Sequence, residues 1–222
     1  MTRAAATSRH LAATLVLGAS FGWASVASAH GREPMLGAVA FDPTDRMHVV
    51  ARTTWAVLES HDDGASFVWR CAAAVGYDRT TEDPPLAITE GGEIFAGTFD
   101  GVVHGGPDGC AWSLVDDPDG VGAYTIDLDR DPTDPSTLWA LMSPGATDNT
   151  LVRSTDRGAT WEVVGAPRRG EPIVLGERMA FAPSDPMRVY VSGAVPATAT
   201  TPLRRAYFYR STDGGQTFVE RE

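Results

Sequence analysis

Residues 154–161 read "STDRGATW", and the pattern returns at 211–218 as "STDGGQTF" and stands earlier at 60–67 as "SHDDGASF". Each copy follows an alternating stretch and precedes one led by an aromatic: "WAVLES" and "FVWRCA", "NTLVRS" and "WEVVGA", "RAYFYRS" and "FVERE". A fourth, worn copy at 105–112, "GGPDGCAW", keeps Gly109 and Trp112 but has lost the Ser and the Asp. The copies start at 60, 105, 154 and 211, spacings of 45, 49 and 57 residues. Periods of this size belong to propellers and solenoids.

A second element precedes three of the copies: "FDPTDRMHVVA" from Phe41, "DRDPTDPSTLWAL" from Asp129 and "FAPSDPMRVYVSG" from Phe181. Each reads as a strand end, a Pro/Asp turn and a new strand. The four units then parse alike, four antiparallel strands each, with no amphipathic helix. The sequence therefore predicts an all-β fold, a β-propeller of about four four-stranded blades, near 35–73, 84–116, 122–166 and 177–222.

The pattern Ser-x-Asp-x-Gly-x-Thr-Trp resembles the Asp-box, or BNR repeat, of sialidase-type propellers, sortilin-like receptor propellers and Ycf48-like photosystem assembly factors. The resemblance covers nearly all of 35–222 and implies that each octapeptide is the turn between the third and fourth strands of a blade. The physics suits that place. Ser60, Ser154 and Ser211 open the boxes, and Asp62, Asp156 and Asp213 can accept N–H groups of their own turn. Gly64, Gly158 and Gly215 supply a positive φ. Phe67, Trp161 and Phe218 are expected to sink a ring into the sheet packing, and Trp161→Ala to cost ~3–5 kcal/mol. On this reading the box acids are structural, and no catalytic residue is assigned.

Composition bounds the function classes. All 18 basic residues are Arg, opposed by 29 acids, a formal net charge of −11. Such a surface lacks the clustered positive charge that nucleic acid or an anionic membrane needs. With 23 Gly and 15 Pro, turns are abundant, and 43% hydrophobic residues suffice for a core.

Residues 1–29 read as a signal peptide: Arg3 and Arg9, an apolar stretch from Leu11 to Val26, then Ala27-Ser28-Ala29. Cleavage is expected between Ala29 and His30, leaving 30–34 as a tail and placing the protein in the periplasm or outside the cell, with no membrane span. Without the leader, 16 Arg face 29 acids, a net charge of −13. In an oxidising compartment Cys71 and Cys110, closing a loop of 40 residues, are expected to pair. That bridge would staple blade one to blade two and contribute about 4 kcal/mol.

Four blades is a small number for a ring. A closed four-blade ring, a truncated product and an arc completed by another chain are the three readings, the last two preferred. Self-association or a partner chain would then cover the open faces.

The site candidates are few. The sialidase resemblance implies an arginine triad, a Tyr/Glu pair and an acidic proton donor at the central mouth. Only "GREPM", with Arg32-Glu33-Pro34, stands near the family's Arg-Ile-Pro, and it has Glu where that motif is apolar. Arg153 and Arg210 precede boxes at matching positions, as a repeat requires. A terminal His30 with His48, His61 or His104 could chelate copper, but His61 lies inside a box and His104 in a third strand, where repeat positions explain them, so no metal and no cofactor is assigned. "DLDRDPTDP" from Asp127 lacks the Gly and Glu of a calcium loop and reads as strand and turn. "VPATATTPLRRA" (195–206) is the longest connection within a unit and the best-placed recognition loop. The expectation is an exported, non-catalytic binding or assembly module for a protein or glycan; the alternative is a sialidase-like glycoside hydrolase or an inactive remnant of one.

Overall fold

The computed structural model describes residues 32–77, 81–106, 111–115, 124–143, 148–170, 172–197 and 203–221. The expected leader with its expected Ala29–His30 junction, Gly109 and Cys110 lie outside these residues, as does the side chain of Cys71. The pairing of the two cysteines therefore lies outside what is described.

Sixteen strands form four separate four-stranded antiparallel sheets, each in chain order. Blade one holds β1 (Leu36–Phe41), β2 (Val49–Thr53), β3 (Ala56–Ser60) and β4 (Val68–Cys71). Blade two holds β5 (Leu86–Ile88), β6 (Ile94–Thr98), β7 (Gly101–Gly105) and β8 (Trp112–Leu114). Blade three holds β9 (Tyr124–Arg130), β10 (Leu138–Ser143), β11 (Thr150–Ser154) and β12 (Glu162–Gly165). Blade four holds β13 (Leu175–Ala182), β14 (Asp185–Val195), β15 (Arg205–Arg210) and β16 (Val219–Arg221). This is the all-β propeller architecture that the repeat predicts.

One element departs from the expectation of no helix: α1 (Ala72–Val75), a single turn. Three alanines and a valine cross from blade one toward blade two, and Gly76 ends the turn at φ 92° while its N–H reaches Ala72 O at 2.8 Å. Ala72 and Val75 are buried, so tertiary packing holds a helix too short to stand alone.

The blades lean on one another through their first strands: β1 meets β5, β5 and β6 meet β9, and β9 and β10 meet β13. Three apolar layers fill the gaps. Val50, Val57, Ile88, Ile94 and Val103 lie between blades one and two. Phe95, Leu128, Leu138 and Val152 lie between two and three. Leu141, Leu151, Met179, Val189 and Val191 lie between three and four. Each fully buried side chain of this kind contributes about 1.5–3 kcal/mol.

The two outer faces are different. In blade one the register puts Val39, Ala51, Leu58 and Trp69 on one face, away from that core. Trp69 is 65% exposed there and Phe41, on the same face at the opposite edge of the sheet, 62%. In blade four Ala180, Tyr190, Arg210 and Val219 share the corresponding face, with Phe208 stacked on Tyr190 at 5.5 Å and itself exposed.

Candidate functional site

The three full octapeptides repeat one set of bonds. In the first, the Ser60 hydroxyl donates to Asp62 Oδ1 at 2.8 Å and accepts the Gly64 N–H at 2.9 Å. Asp62 Oδ1 accepts the Ser66 N–H at 2.8 Å and Oδ2 the Ser66 hydroxyl at 2.6 Å. Ser154, Asp156, Gly158 and Thr160 reproduce this at 2.8, 2.8, 2.8 and 2.6 Å. Ser211, Asp213, Gly215 and Thr217 do so at 2.7, 2.9, 2.9 and 2.5 Å. The Thr/Ser hydroxyl, its N–H and the opening Ser hold Asp62 and Asp213 down to about 2. These carboxylates are fully used by their own turns.

Two residues in succession are left-handed in each turn: Asp63 and Gly64, Arg157 and Gly158, Gly214 and Gly215. The first of each pair donates its N–H to the preceding Pro/Asp turn, to Met47 O, Ser136 O and Met187 O respectively. The two repeated sequence elements are thus hydrogen-bonded to each other once in each of blades one, three and four. Trp112, from the worn copy, opens β8 and lies over Gly105, where a Cβ would meet its ring at 2.9 Å.

Phe67 differs from the expectation. Trp161 packs against the layer between blades two and three, and Phe218 against the layer between three and four. Phe67 is 45% exposed. The reason lies in what each turn faces: a Cβ on Gly158 would reach Phe95 of blade two at 2.4 Å, and one on Gly215 would reach Leu151 of blade three at 2.4 Å. Gly64 has only Phe67 nearby.

Chemistry with unspent capacity gathers at the opposite end of the sheets, where antiparallel topology puts the β2–β3 and β6–β7 turns and the starts of β5 and β9. Arg32 donates to Glu82 O at 2.9 Å and to Asp83 Oδ2 at 2.6 Å. Arg52, on β2, donates through Nη1 to Asp83 Oδ1. Its side chain is 8% exposed, and its Nε has no hydrogen-bond partner among the described residues. Gly37 makes room for it, since a Cβ there would fall 2.4 Å from Nη2. Glu82 is buried and accepts the Phe99 N–H at 2.6 Å. The Phe99 ring meets Tyr124 edge-on at 4.8 Å, and both are nearly half exposed.

The electrostatics follow from burial against charge. Burial pushes the Arg52 guanidinium below its usual range, and Asp83 works against that. Burial alone would raise Asp83, but the Arg32 hydrogen bond and the Arg52 charge hold it low. Burial takes Tyr77, beside Arg52, up to about 12 and raises Tyr124, so neither phenol is activated as a nucleophile. Arg178, 68% exposed, adds its charge to Arg52 and Tyr124 and lies 3.9 Å from Asp127. Asp127 accepts the Met179 N–H at 2.8 Å, tying blade three to blade four, and burial brings it up to about 6.

Arg32, weighed from the sequence, thus belongs to a convergent arginine pair, but a carboxylate of the chain sits between its members. Arg153 bonds Glu162 within blade three, and Arg210 lies on the outer face of blade four. Of the 195–206 connection, residues 198–202 lie outside the described residues; Arg204 pairs with Glu177. Sequence reading missed Arg52, Glu82, Asp83, Phe99 and Tyr124. One signal was available: Arg52 stands where the other β2-type strands carry Gly97, Leu141 and Ser192.

No helix among the described residues is long and apolar enough to cross a membrane. No protein-family model matches the sequence, and no curated protein matches it. Solved structures do resemble it. A protein of unknown function from Dyadobacter fermentans DSM 18053 is 14% identical, with 85% of this chain and 68% of that one covered, at a TM-score of 0.55. The extracellular domain assigned to a hybrid two-component system of B. thetaiotaomicron is 10% identical, with 82% of this chain and 21% of that one covered, at 0.53. The chain thus spans about two thirds of the first and about a fifth of the second. At such identities the likeness is one of fold alone, and that fold is the propeller.

Proposed function

We propose that the protein is an exported, non-catalytic Asp-box propeller that binds a protein or glycan ligand at the end of the sheets opposite its octapeptide turns. The observation that carries this is the Arg32–Asp83–Arg52 cluster flanked by the exposed Phe99–Tyr124 pair. A guanidinium that is buried yet poorly satisfied, beside aromatic rings held edge to face, is the composition of a binding hot spot. Asp83 stands where a ligand carboxylate would stand, so an acidic group on a protein or an acidic glycan is the chemistry recognised. The leader of residues 1–29 would deliver the chain to the periplasm or beyond, where such ligands are displayed.

The test is an array of uronic-acid and sialylated glycans and acidic peptides probed with residues 30–222 and with Arg52→Ala. Binding to carboxylated spots that falls at least tenfold in the variant supports the reading. No binding, or equal binding by both proteins, overturns it. The rival, a sialidase-like hydrolase, predicts turnover of a fluorogenic sialoside. With Asp83 on the arginines and Tyr77 and Tyr124 held protonated, none is expected.

A further inference from the structure

A second cluster of ligating side chains lies at the other end of blade one and has no part in the site above. His48, Glu59 and His61 bring one ligand atom each to within 4.8 Å of one another. His48 Nε2 is 3.2 Å and His61 Nε2 3.1 Å from the same carboxylate oxygen, Glu59 Oε1. The two imidazoles are stacked, centroids 4.5 Å apart and 17° from parallel. We propose that His48, Glu59 and His61 form a binding site for a divalent transition-metal ion, zinc before others.

The fit is one of distances and of support. Zinc holds imidazole nitrogen and carboxylate oxygen at about 2.0–2.2 Å, so two tetrahedral ligands stand about 3.3 Å apart, close to the two separations found. Two imidazoles and a carboxylate suit a borderline divalent ion rather than calcium or magnesium, which take oxygen ligands. His48 is 3% exposed and its second nitrogen, Nδ1, is held by Asp42 Oδ2 at 3.1 Å. The carboxylate–histidine arrangement fixes the ring that would face the ion. Asp42 is itself anchored through Oδ1 by the Thr44 N–H and hydroxyl, both at 2.8 Å, and by the Asp45 N–H at 3.0 Å. Arg70 steadies the far oxygen, Glu59 Oε2, at 3.3 Å. Gly92 of blade two closes over the support, since a Cβ there would come within 3.3 Å of both Asp42 and His48. His61, 64% exposed, leaves the remaining position open to solvent.

The repeat explains how three such residues come together. One ends the Pro/Asp turn, one is the next-to-last residue of the third strand, and one follows the opening Ser of the octapeptide. Every full unit joins those positions, yet blade three fills them with Thr137, Arg153 and Thr155 and blade four with Arg188, Arg210 and Thr212. Only blade one, among these, writes ligands there.

The test is calorimetric titration of the tag-free, chelator-stripped chain of residues 30–222 with Zn2+, chosen because a terminal His30 would itself chelate Cu2+. One equivalent is expected to bind. Affinity should drop on the order of 100-fold in His61→Ala, an exposed position that leaves the fold intact by circular dichroism, and about tenfold in Asp42→Asn, whose role is to position His48. Visible absorption bands of bound Co2+ should be present in the parent and lost in His61→Ala. Absence of a stoichiometric site, or equal affinity in parent and His61→Ala, would overturn the proposal.

Discussion

The octapeptides 60–67 and 154–161 share four hydrogen bonds of Ser, Asp and Gly that agree to within a tenth of an ångström, and 154–161 adds one from its own ring, Trp161 Nε1 to Gly158 O at 3.1 Å. Their aromatic residues nevertheless have different fates: Trp161 packs against the layer shared with blade two, and Phe67 belongs to no such layer and is nearly half exposed. The turn is a local object, made by Ser, Asp and a left-handed Gly wherever those residues occur. The packing of its ring depends on a blade standing beside it. Local chemistry and blade-to-blade packing are therefore separable contributions, and substitutions at equivalent positions can measure each.

The largest difference is expected at the glycines. Gly158→Ala must meet both the strain of φ 82° and the ring of Phe95, which is 1% exposed and has nowhere to go. Chemical denaturation should show a loss of at least about 3 kcal/mol. Gly64→Ala has the same left-handed backbone but would only touch the Phe67 ring, at 3.8 Å, so about 1 kcal/mol is expected. Equal losses would mean that the blade contact at Gly158 is not a constraint.

The aromatics come next. Trp161→Ala should cost about 3 kcal/mol and Phe67→Ala under about 1 kcal/mol by the same measurement. A comparable cost at both would show that Phe67 is covered in solution.

Asp127 tests the packing between blades three and four through pH. Its folded-state value, pushed up by burial to about 6, exceeds the ordinary 3.8, so between those values the folded chain holds a proton that the unfolded chain has lost. Stability from this group is complete below about pH 4 and falls as pH rises through about 6, by on the order of 3 kcal/mol. Thermal melts of Asp127→Asn should lack that decline. Asp62 and Asp213 run in the opposite sense: held down to about 2 by the Thr/Ser hydroxyl and N–H, they stabilise above about pH 4, and that stability disappears as pH falls toward 2.

The smallest effect should be the most equal. Ser60→Ala and Ser154→Ala each remove one hydroxyl that bridges an Asp and a Gly N–H, so each should cost about 1 kcal/mol. A clear inequality would break the claim that the turn is autonomous.

The same separation explains what the sequence made legible. Strand alternation, turn residues and the octapeptide are local patterns repeated in register, and they led directly to four four-stranded blades. The single turn of α1 escaped because "AAAV" is held by the burial of Ala72 and Val75 rather than by any capping pattern. Of the mouth only Arg32 was weighed from the sequence; Arg52, Asp83, Phe99 and Tyr124 escaped for a topological reason, since they come from two blades, the start of a third and a connecting segment, and none belongs to the repeated pattern. His48 was visible at the start of a strand and His61 inside an octapeptide. His61 stands two residues from Glu59, but the convergence of His48 on Glu59 was hidden because strand pairing, not sequence proximity, brings the ends of β2 and β3 together.

The mouth is tested most directly by Asp83→Ala, read on the array of carboxylated glycans and acidic peptides beside the parent protein. If Asp83 occupies the position of a ligand carboxylate, its removal leaves Arg32 and Arg52 facing an open place, and binding to carboxylated spots should strengthen severalfold over the parent. Weaker or unchanged binding by a variant that remains folded would contradict the assignment of this end of the propeller as the binding site.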